Sequence, residues 1–258
     1  MFSLFNSNVN DLSVNKAKNH LFKYLDQARN WLFPNACILC GAAGEPPLDL
    51  CSACFAELPW LNTFCLYCAL PLPITTTPQI CGACLQTPPP FAKTRALFSY
   101  QNPIDKLITG LKFHHKLVYA KLLAELFAKQ LTCILAEDTS LPDCIIPVPL
   151  HPSRLRERGF NQAVEIIRPV ARKFKIPLDL VSCHRIRATK AQTELAANQR
   201  HANIKNAFAV SKKLTRLKHV VVFDDVVTTG NTARELSKTL RQNGVERIDV
   251  WCCARTNS

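Results

Sequence analysis

Eight cysteines arranged as four C-x-x-C pairs constrain this chain more than any other feature. They are Cys37 and Cys40, Cys51 and Cys54, Cys65 and Cys68, and Cys81 and Cys84, with 10, 10 and 12 residues between successive pairs. A C-x-x-C hairpin brings two thiolates to one ion, and two hairpins complete a tetrahedral site. Four hairpins therefore predict two Zn²⁺ sites. Each offers four sulfurs and no open position, so both are expected to be structural and to contribute folding energy. Redox or iron–sulfur chemistry is the alternative, but no C-x-x-C here sits at a strand–helix junction as in thioredoxin-like motifs. Sequential pairing closes the shorter ribbons; an interleaved pairing stays open at this point.

The compartment follows from the same residue type. The opening MFSLFNSNVNDLSVNKAKNH lacks a continuous apolar core and a small-residue cleavage site, and the chain has no run of 18 apolar residues. A cytoplasmic protein without membrane insertion is expected, with its thiols reduced. The five cysteines outside the pairs, Cys133, Cys144, Cys183, Cys252 and Cys253, lie in apolar contexts and are expected to be buried and inert.

Three regions are expected. Residues 1–33 hold an amphipathic helical segment, with Leu21, Leu25, Ala28 and Leu32 at helical spacing before Pro34. Residues 34–90 hold the cysteine pairs and end in the stiff TPPPF junction. From 91 to 258 strands alternate with helices. ALFSY, CIIPVPL, LVSCHRIR, HVVVFDD and RIDVWCCA read as strands. Residues 103–135, 160–174 and 232–244 read as helices, and one begins near residue 193. Continuous apolar strands separated by helices predict a parallel sheet covered on both faces, with ligands bound beyond the strand C-terminal ends.

Charge adds a partner class. The formal net charge is +13, and residues 151–219 hold 16 Lys and Arg against four Asp and Glu, nearly the whole surplus. A basic block inside a folded region favours contact with phosphates. Arg154, Arg156 and Arg158 lie two apart just before a helix, and either a solvated face or a phosphate-contacting face accounts for them. His114 and His115 read as surface residues, and Trp31, Trp60 and Trp251 as packing residues.

The stretch VVVFDDVVTTGNT, residues 220–232, carries the chemistry. Asp224 and Asp225 stand at the end of the most apolar strand, where charge is costly without partners. The loop that follows leads into a helix N-terminus, whose N–H groups favour a phosphate. Gly230 lets the backbone approach a ligand closely. Thr228, Thr229, Asn231 and Thr232 add donors, after Val226 and Val227. Two carboxylates can accept hydrogen bonds from vicinal hydroxyls, so acid pair plus phosphate loop describes a ribose 5-phosphate site. A simple helix cap needs one such residue, not the set. Neither G-x-x-x-x-G-K-[ST] nor G-x-G-x-x-G occurs.

This stretch resembles the phosphoribosyl-pyrophosphate signature of type I phosphoribosyltransferases. With the cysteine pairs, CGACLQTPPPF, IPVPLHPSRLRERGFNQ and RATKAQTELAANQRHANIKNAF, it resembles, in that order, the ComF family (ComFC and GntX proteins). The resemblance implies an α/β fold, a parallel-sheet type I phosphoribosyltransferase-like domain preceded by a small double zinc ribbon. It implies a role in natural competence, handling incoming single-stranded DNA, with competence or recombination proteins as partners. Asp224 and Asp225 would hold the ribose hydroxyls and residues 228–232 the 5-phosphate. Val148, Pro149 and Leu150 would lie where pyrophosphate binds with Mg²⁺. Lys190 and Arg187, in the segment matching a mobile hood, would neutralise the leaving pyrophosphate, making Asp224, Asp225 and Lys190 the catalytic candidates. No residues for a purine or pyrimidine pocket stand out. An active phosphoribosyltransferase on an unknown acceptor, without a DNA role, is the alternative.

Overall fold

The structure is a computed structural model that describes residues 36–74, 77, 79–137, 141–188, 204–211, 214 and 217–257. The expected helix before Pro34 and the helical start near residue 193 lie outside the described residues. The chain forms two compact units, Met1–Glu57 and Leu58–Ser258.

In the first unit, antiparallel bridges join Ala36 to Ala43 and Glu45 to Leu50. The short helix α1 (Ser52–Ala56) begins at Cys51, whose sulfur accepts the Cys54 N–H at 3.4 Å.

The second unit opens with helix α2 (Gly82–Gln86). Its centre is a four-stranded, all-parallel sheet in the order β1 (Lys93–Ser99), β6 (Arg247–Arg255), β5 (His219–Val227), β2 (Cys144–Pro147). All four strands were legible as apolar runs. β5 runs two residues past the expected end, because Val226 and Val227 stay paired with Ala254 and Arg255. Residues 59–61 bond along the outer edge of β1, and Leu178 bridges Ile145 at the other edge, so neither edge is left bare.

Helices cover both faces. The stretch 103–135, expected to be mostly helical, holds two helices, α3 (Ile104–His114) and α4 (Leu117–Glu137), divided where His115 turns left-handed with φ 53°. α5 (Pro152–Arg158) is a seven-residue helix where the sequence reading placed only an approach to a helix. α6 (Gln162–Phe174) buries Ala163, Ile166, Ile167, Val170 and Ala171, and α7 (Asn231–Gln242) buries Ala233, Leu236, Ser237 and Leu240. Both patterns are the i, i+3, i+4, i+7 stripe of a helix laid on a core. Phe127 of α4 meets Phe223 at 5.4 Å and Trp251 at 5.9 Å on one sheet face. Val220, Val222, Ile248 and Val250 pack with α7 on the other. LVSCHRIR forms only the short strand β3 (Cys183–Arg185), antiparallel to β4 (Phe208–Val210) in a separate flap.

Cys144, Cys183, Cys252 and Cys253 are buried as expected, and burial pushes the Cys144 and Cys183 thiols up to about 12. Cys133 departs from the expectation and is exposed, because it falls on the outer side of α4. His114 and His115 are exposed, Trp251 is buried, and no helix among the described residues is long and apolar enough to cross a membrane.

The opposite end of the sheet carries a buried acid with partners. Asp249, 3% exposed, sits 3.1 Å from His219 and 2.9 Å from Arg247. Burial opposes its charge, but these two partners outweigh it and hold its carboxyl below the usual range. That stability is present above the unfolded-state pKa and is lost as pH falls through the depressed native value. Asp249→Ala should cost about 2–3 kcal/mol at pH 7, less than a fully buried pair because Arg247 reaches water. Thermal unfolding should show a Tm lower by roughly 5 °C or more at pH 7, with the gap closing below about pH 4.

Candidate functional site

β5 delivers its two acids to the C-terminal edge of the sheet, where a cavity of about 290 Å³ opens. Strand alternation sends neighbouring side chains to opposite faces, so only a pocket beyond the strand end can meet both. Asp224 and Asp225 both line it, with Val226, Val227, Thr228, Gly230 and Thr232. Gly230 turns left-handed at φ 75° and caps α7, whose first turn is thereby aimed at the cavity edge. Thr229 is not part of the wall, and its buried hydroxyl has no hydrogen-bond partner among the described residues. Asn231 begins α7 rather than lining the wall.

The two carboxyls are not equivalent. Asp225 is 2% exposed, and Lys112 of α3 places its Nζ 2.5 Å from Oδ2. Burial opposes the Asp225 charge, but Lys112, Asp224 and Gln162 outweigh it and hold its carboxyl below the usual range. Gln162 donates to Asp225 Oδ1 at 3.3 Å and accepts from Arg158 at 2.5 Å. Asp224 is half-buried, and burial together with the Asp225 charge pushes it well above the usual range. The pair therefore holds one ionised acid and one that keeps its proton far more readily. Such a pair can accept from one hydroxyl and exchange a proton with another.

Four cations face these acids across the cavity: Lys112, Arg154, Arg158 and Arg185. Lys112 and Arg185 are the residues that sequence reading missed. Lys112 lies in KFHHK, over a hundred residues from the acid it meets, and only its basic character was visible. Arg185 ends β3, two residues before the expected Arg187, which lies beyond the strand. Arg187 instead donates to the Lys205 carbonyl across the flap. Lys190 lies outside the described residues. Val148 and Leu150 line the cavity, while Pro149 lines a neighbouring one of about 620 Å³. The turn is tied in place by Val148 N–H to the Phe223 carbonyl at 2.8 Å and by Asn161 to the Val148 carbonyl at 3.0 Å.

The three arginines of α5 divide as helical spacing requires. Arg154 and Arg158, four apart, share a face and line the acid-bearing cavity. Arg156 lies between them and lines the larger neighbour.

The cysteine pairs resolve into two tetrads in sequential pairing. Cys37, Cys40, Cys51 and Cys54 form one, Cys65, Cys68, Cys81 and Cys84 the other, each with sulfurs within 4.8 Å of one another. Cys40 and Cys51 sulfurs are 3.7 Å apart, and those of Cys68 and Cys81 3.6 Å. A tetrahedral Zn²⁺ with about 2.3 Å bonds to sulfur spaces its ligands about 3.8 Å apart, whereas a disulfide needs about 2.05 Å. The residues present therefore fit zinc. Burial opposes ionisation of Cys65, but backbone N–H groups of Cys68, Cys81 and Tyr67 outweigh it and bring its thiol down to about 7.

Comparison with known proteins agrees with this layout. Residues 28–85 match the model of the double zinc ribbon domain, and residues 161–258 that of the phosphoribosyl transferase domain. The chain is 36% identical over 229 residues to the DNA utilization protein YhgH of Salmonella typhimurium, covering 86% of this chain and 98% of that protein. It is 36% identical over 214 residues to competence protein F of Haemophilus influenzae, covering 80% of this chain and 90% of that protein. The chain belongs to the ComF family. Competence protein ComFC of Streptococcus pneumoniae is a more distant relative, 24% identical over 163 residues.

The acid pair of this ComF-family protein makes a pH-dependent prediction. A carboxyl with a raised native pKa contributes stability fully present below its unfolded pKa and lost as pH rises through the native one. Asparagine mimics the protonated form at every pH. Asp224→Asn should therefore raise Tm by a few degrees at pH 8, and the advantage should shrink toward pH 5 in a thermal-shift series.

Proposed function

We propose that this protein acts in DNA uptake and utilisation, handling incoming single-stranded DNA in the cytoplasm, and that its cavity binds phosphoribosyl pyrophosphate. The observation that supports it best is the cavity wall, where four cations surround an acid pair beside a threonine-rich loop at a helix N-terminus. A sugar carrying phosphates at two positions meets each part. Its 5-phosphate takes the donors of Thr228–Thr232, its ribose hydroxyls Asp224 and Asp225, and its pyrophosphate the turn at Val148 and Leu150 with Arg154, Arg158 and Arg185. Mg²⁺ suits such a ligand, since it binds through phosphates with few protein oxygens. Lys112 holds Asp225 in its ionised form, ready to accept from a hydroxyl. The family names, the zinc ribbons and the basic block support the DNA role.

A second reading, an active transferase, is favoured by the larger cavity alongside. It shares Leu150 and Arg185 with the acid-bearing one and is wide enough for an acceptor. Pyrophosphate release in the presence of oligonucleotides or nucleobases distinguishes turnover from binding alone.

Calorimetric titration of the zinc-loaded chain with phosphoribosyl pyrophosphate and Mg²⁺ tests the site. Binding should be saturable in the parent and at least tenfold weaker in Asp224→Asn, lost altogether in Asp224→Asn with Asp225→Asn. Absence of binding by the parent overturns the reading. Asp224→Asn alone separates ligand loss from unfolding, because it should be more stable than the parent near neutral pH. In fluorescence anisotropy, affinity for oligothymidylate should fall about tenfold or more between 50 and 200 mM salt, through counterion release. A flat salt response removes the charge argument for DNA.

A further inference from the structure

Both ends of the loop Thr228–Gly230 are tied to the second cysteine tetrad, and the ties are arginines that the cavity itself does not use. Arg255 closes β6 and is only 4% exposed. Its Nε–H donates to the Cys68 carbonyl at 3.0 Å. Its Nη1 donates to the Val227 carbonyl at 3.3 Å, to the Thr228 carbonyl, and to the Thr256 carbonyl at 2.8 Å. One guanidinium therefore joins a knuckle of the tetrad to the residues where the loop begins. Arg234 does the same at the other end. Its backbone N–H bonds the Gly230 carbonyl at 2.8 Å, in the first turn of α7. Its side chain reaches Cys84 Sγ at 3.8 Å and the Thr87 carbonyl at 3.3 Å.

The shape of the knuckle depends on its sulfurs. Residues 65–70 form a tight turn, with Ala69 left-handed at φ 53° and its N–H bonded to the Cys65 carbonyl at 2.9 Å. The Cys81 N–H bonds Cys65 Sγ at 3.3 Å. Four sulfurs this close are held together only while an ion neutralises their thiolates. If the knuckle opens, the Cys68 carbonyl leaves Arg255, and a buried guanidinium is left to rebalance on the loop carbonyls that remain. Loss of a partner by a buried charged donor is costly, so the loop will shift rather than stay.

We propose that the second tetrad is a brace for the phosphate loop: with zinc bound, Arg255 and Arg234 hold Thr228–Gly230 in the shape that receives the ligand phosphate. Metal occupancy at Cys65, Cys68, Cys81 and Cys84 thereby sets the affinity of the cavity, and Arg255 is a positioning residue rather than a ligand contact. The affinity arm of this inference rests on the reading of the cavity as a phosphoribosyl pyrophosphate site; the loop-ordering arm does not.

The test uses full-length protein as parent, Arg255→Lys and Cys84→Ser. Lysine keeps the charge but lacks the planar fork that joins knuckle and loop. Zinc is counted by release to a colorimetric chelator, affinity by titration with phosphoribosyl pyrophosphate and Mg²⁺, and loop order by amide hydrogen exchange. Arg255→Lys should retain the parent zinc content, bind at least tenfold more weakly, and exchange the amides of 227–232 about tenfold faster, with residues 220–223 unchanged. Cys84→Ser should lose one zinc per chain and show the same local change. Parent-like exchange of the loop in Arg255→Lys, or in Cys84→Ser after the loss of one zinc, overturns the brace. If the parent itself fails to bind, the reading of the cavity falls, and the exchange of 227–232 alone decides the brace. Should Cys84→Ser not accumulate as folded chain, Arg255→Lys, which leaves every ligand in place, carries the decision.

Discussion

The contact between Lys112 and Asp225 is the interaction on which the site depends. β5 is buried on both faces, and an ionised carboxylate at its end has no water to solvate it. Lys112 at 2.5 Å supplies the compensating charge, and Gln162 supplies the hydrogen bond that fixes the second oxygen. Because α3 and α6 provide these two partners, the acid reports on the docking of both helices. The neighbouring carboxyl, Asp224, is raised by burial and by the charge of Asp225 beside it, and so holds its proton more tightly. Unequal acidity within an adjacent pair thus comes from which sheet face each residue takes, a consequence of strand alternation.

What the sequence made legible divides by range. The four strands of the main sheet and the helices α6 and α7 were readable because their signals are local, apolar runs and 3.6-residue stripes. The tetrads were readable because ligand spacing is itself local, and only their pairing needed three dimensions. Failures came where the deciding partner is distant. Lys112 meets an acid 113 positions away through packing that no spacing reveals. Arg185 was passed over for Arg187 because the flap has only three paired residues per strand, too few for its register to be read. α5 was missed because its arginines hide the amphipathic pattern, yet their i, i+4 spacing already contained the division between two cavities. Within the stretch expected to be mostly helical, the αL turn at His115 divides two helices at a position with no glycine to announce it.

The cysteine ligands also carry more structure than a ribbon requires. Cys65–Cys84 lies in the same compact unit as the sheet, and backbone of residues 59–61 runs along the outer edge of β1. The second tetrad meets the end of β6, the strand next to the edge strand β1, where Arg255 donates to the Cys68 carbonyl. A metal centre in such a place transmits rigidity, since bonds about its ion allow little change in the separation of the chain segments they join. The arginines at 234 and 255 extend that rigidity to the loop through carbonyl oxygens, whose positions follow the backbone rather than a rotamer.

The character of the acid-bearing cavity turns on charge and geometry. The wall of the smaller cavity has twice as many cations as acids, and one of those acids favours its protonated form. Its field suits phosphates of any origin, so charge alone does not choose between a small ligand and a nucleic-acid backbone. Size bears on the choice, since a space of about 290 Å³ lined by the acid pair, the loop and Leu150 is on the scale of one small ligand. Arg156, Arg168 and the prolines 147, 149 and 152 line a separate space of about 620 Å³, divided from the first by Leu150 and Arg185. The same helix, α5, serves both spaces, because Arg154 and Arg158 line the first and Leu155 and Arg156 the second.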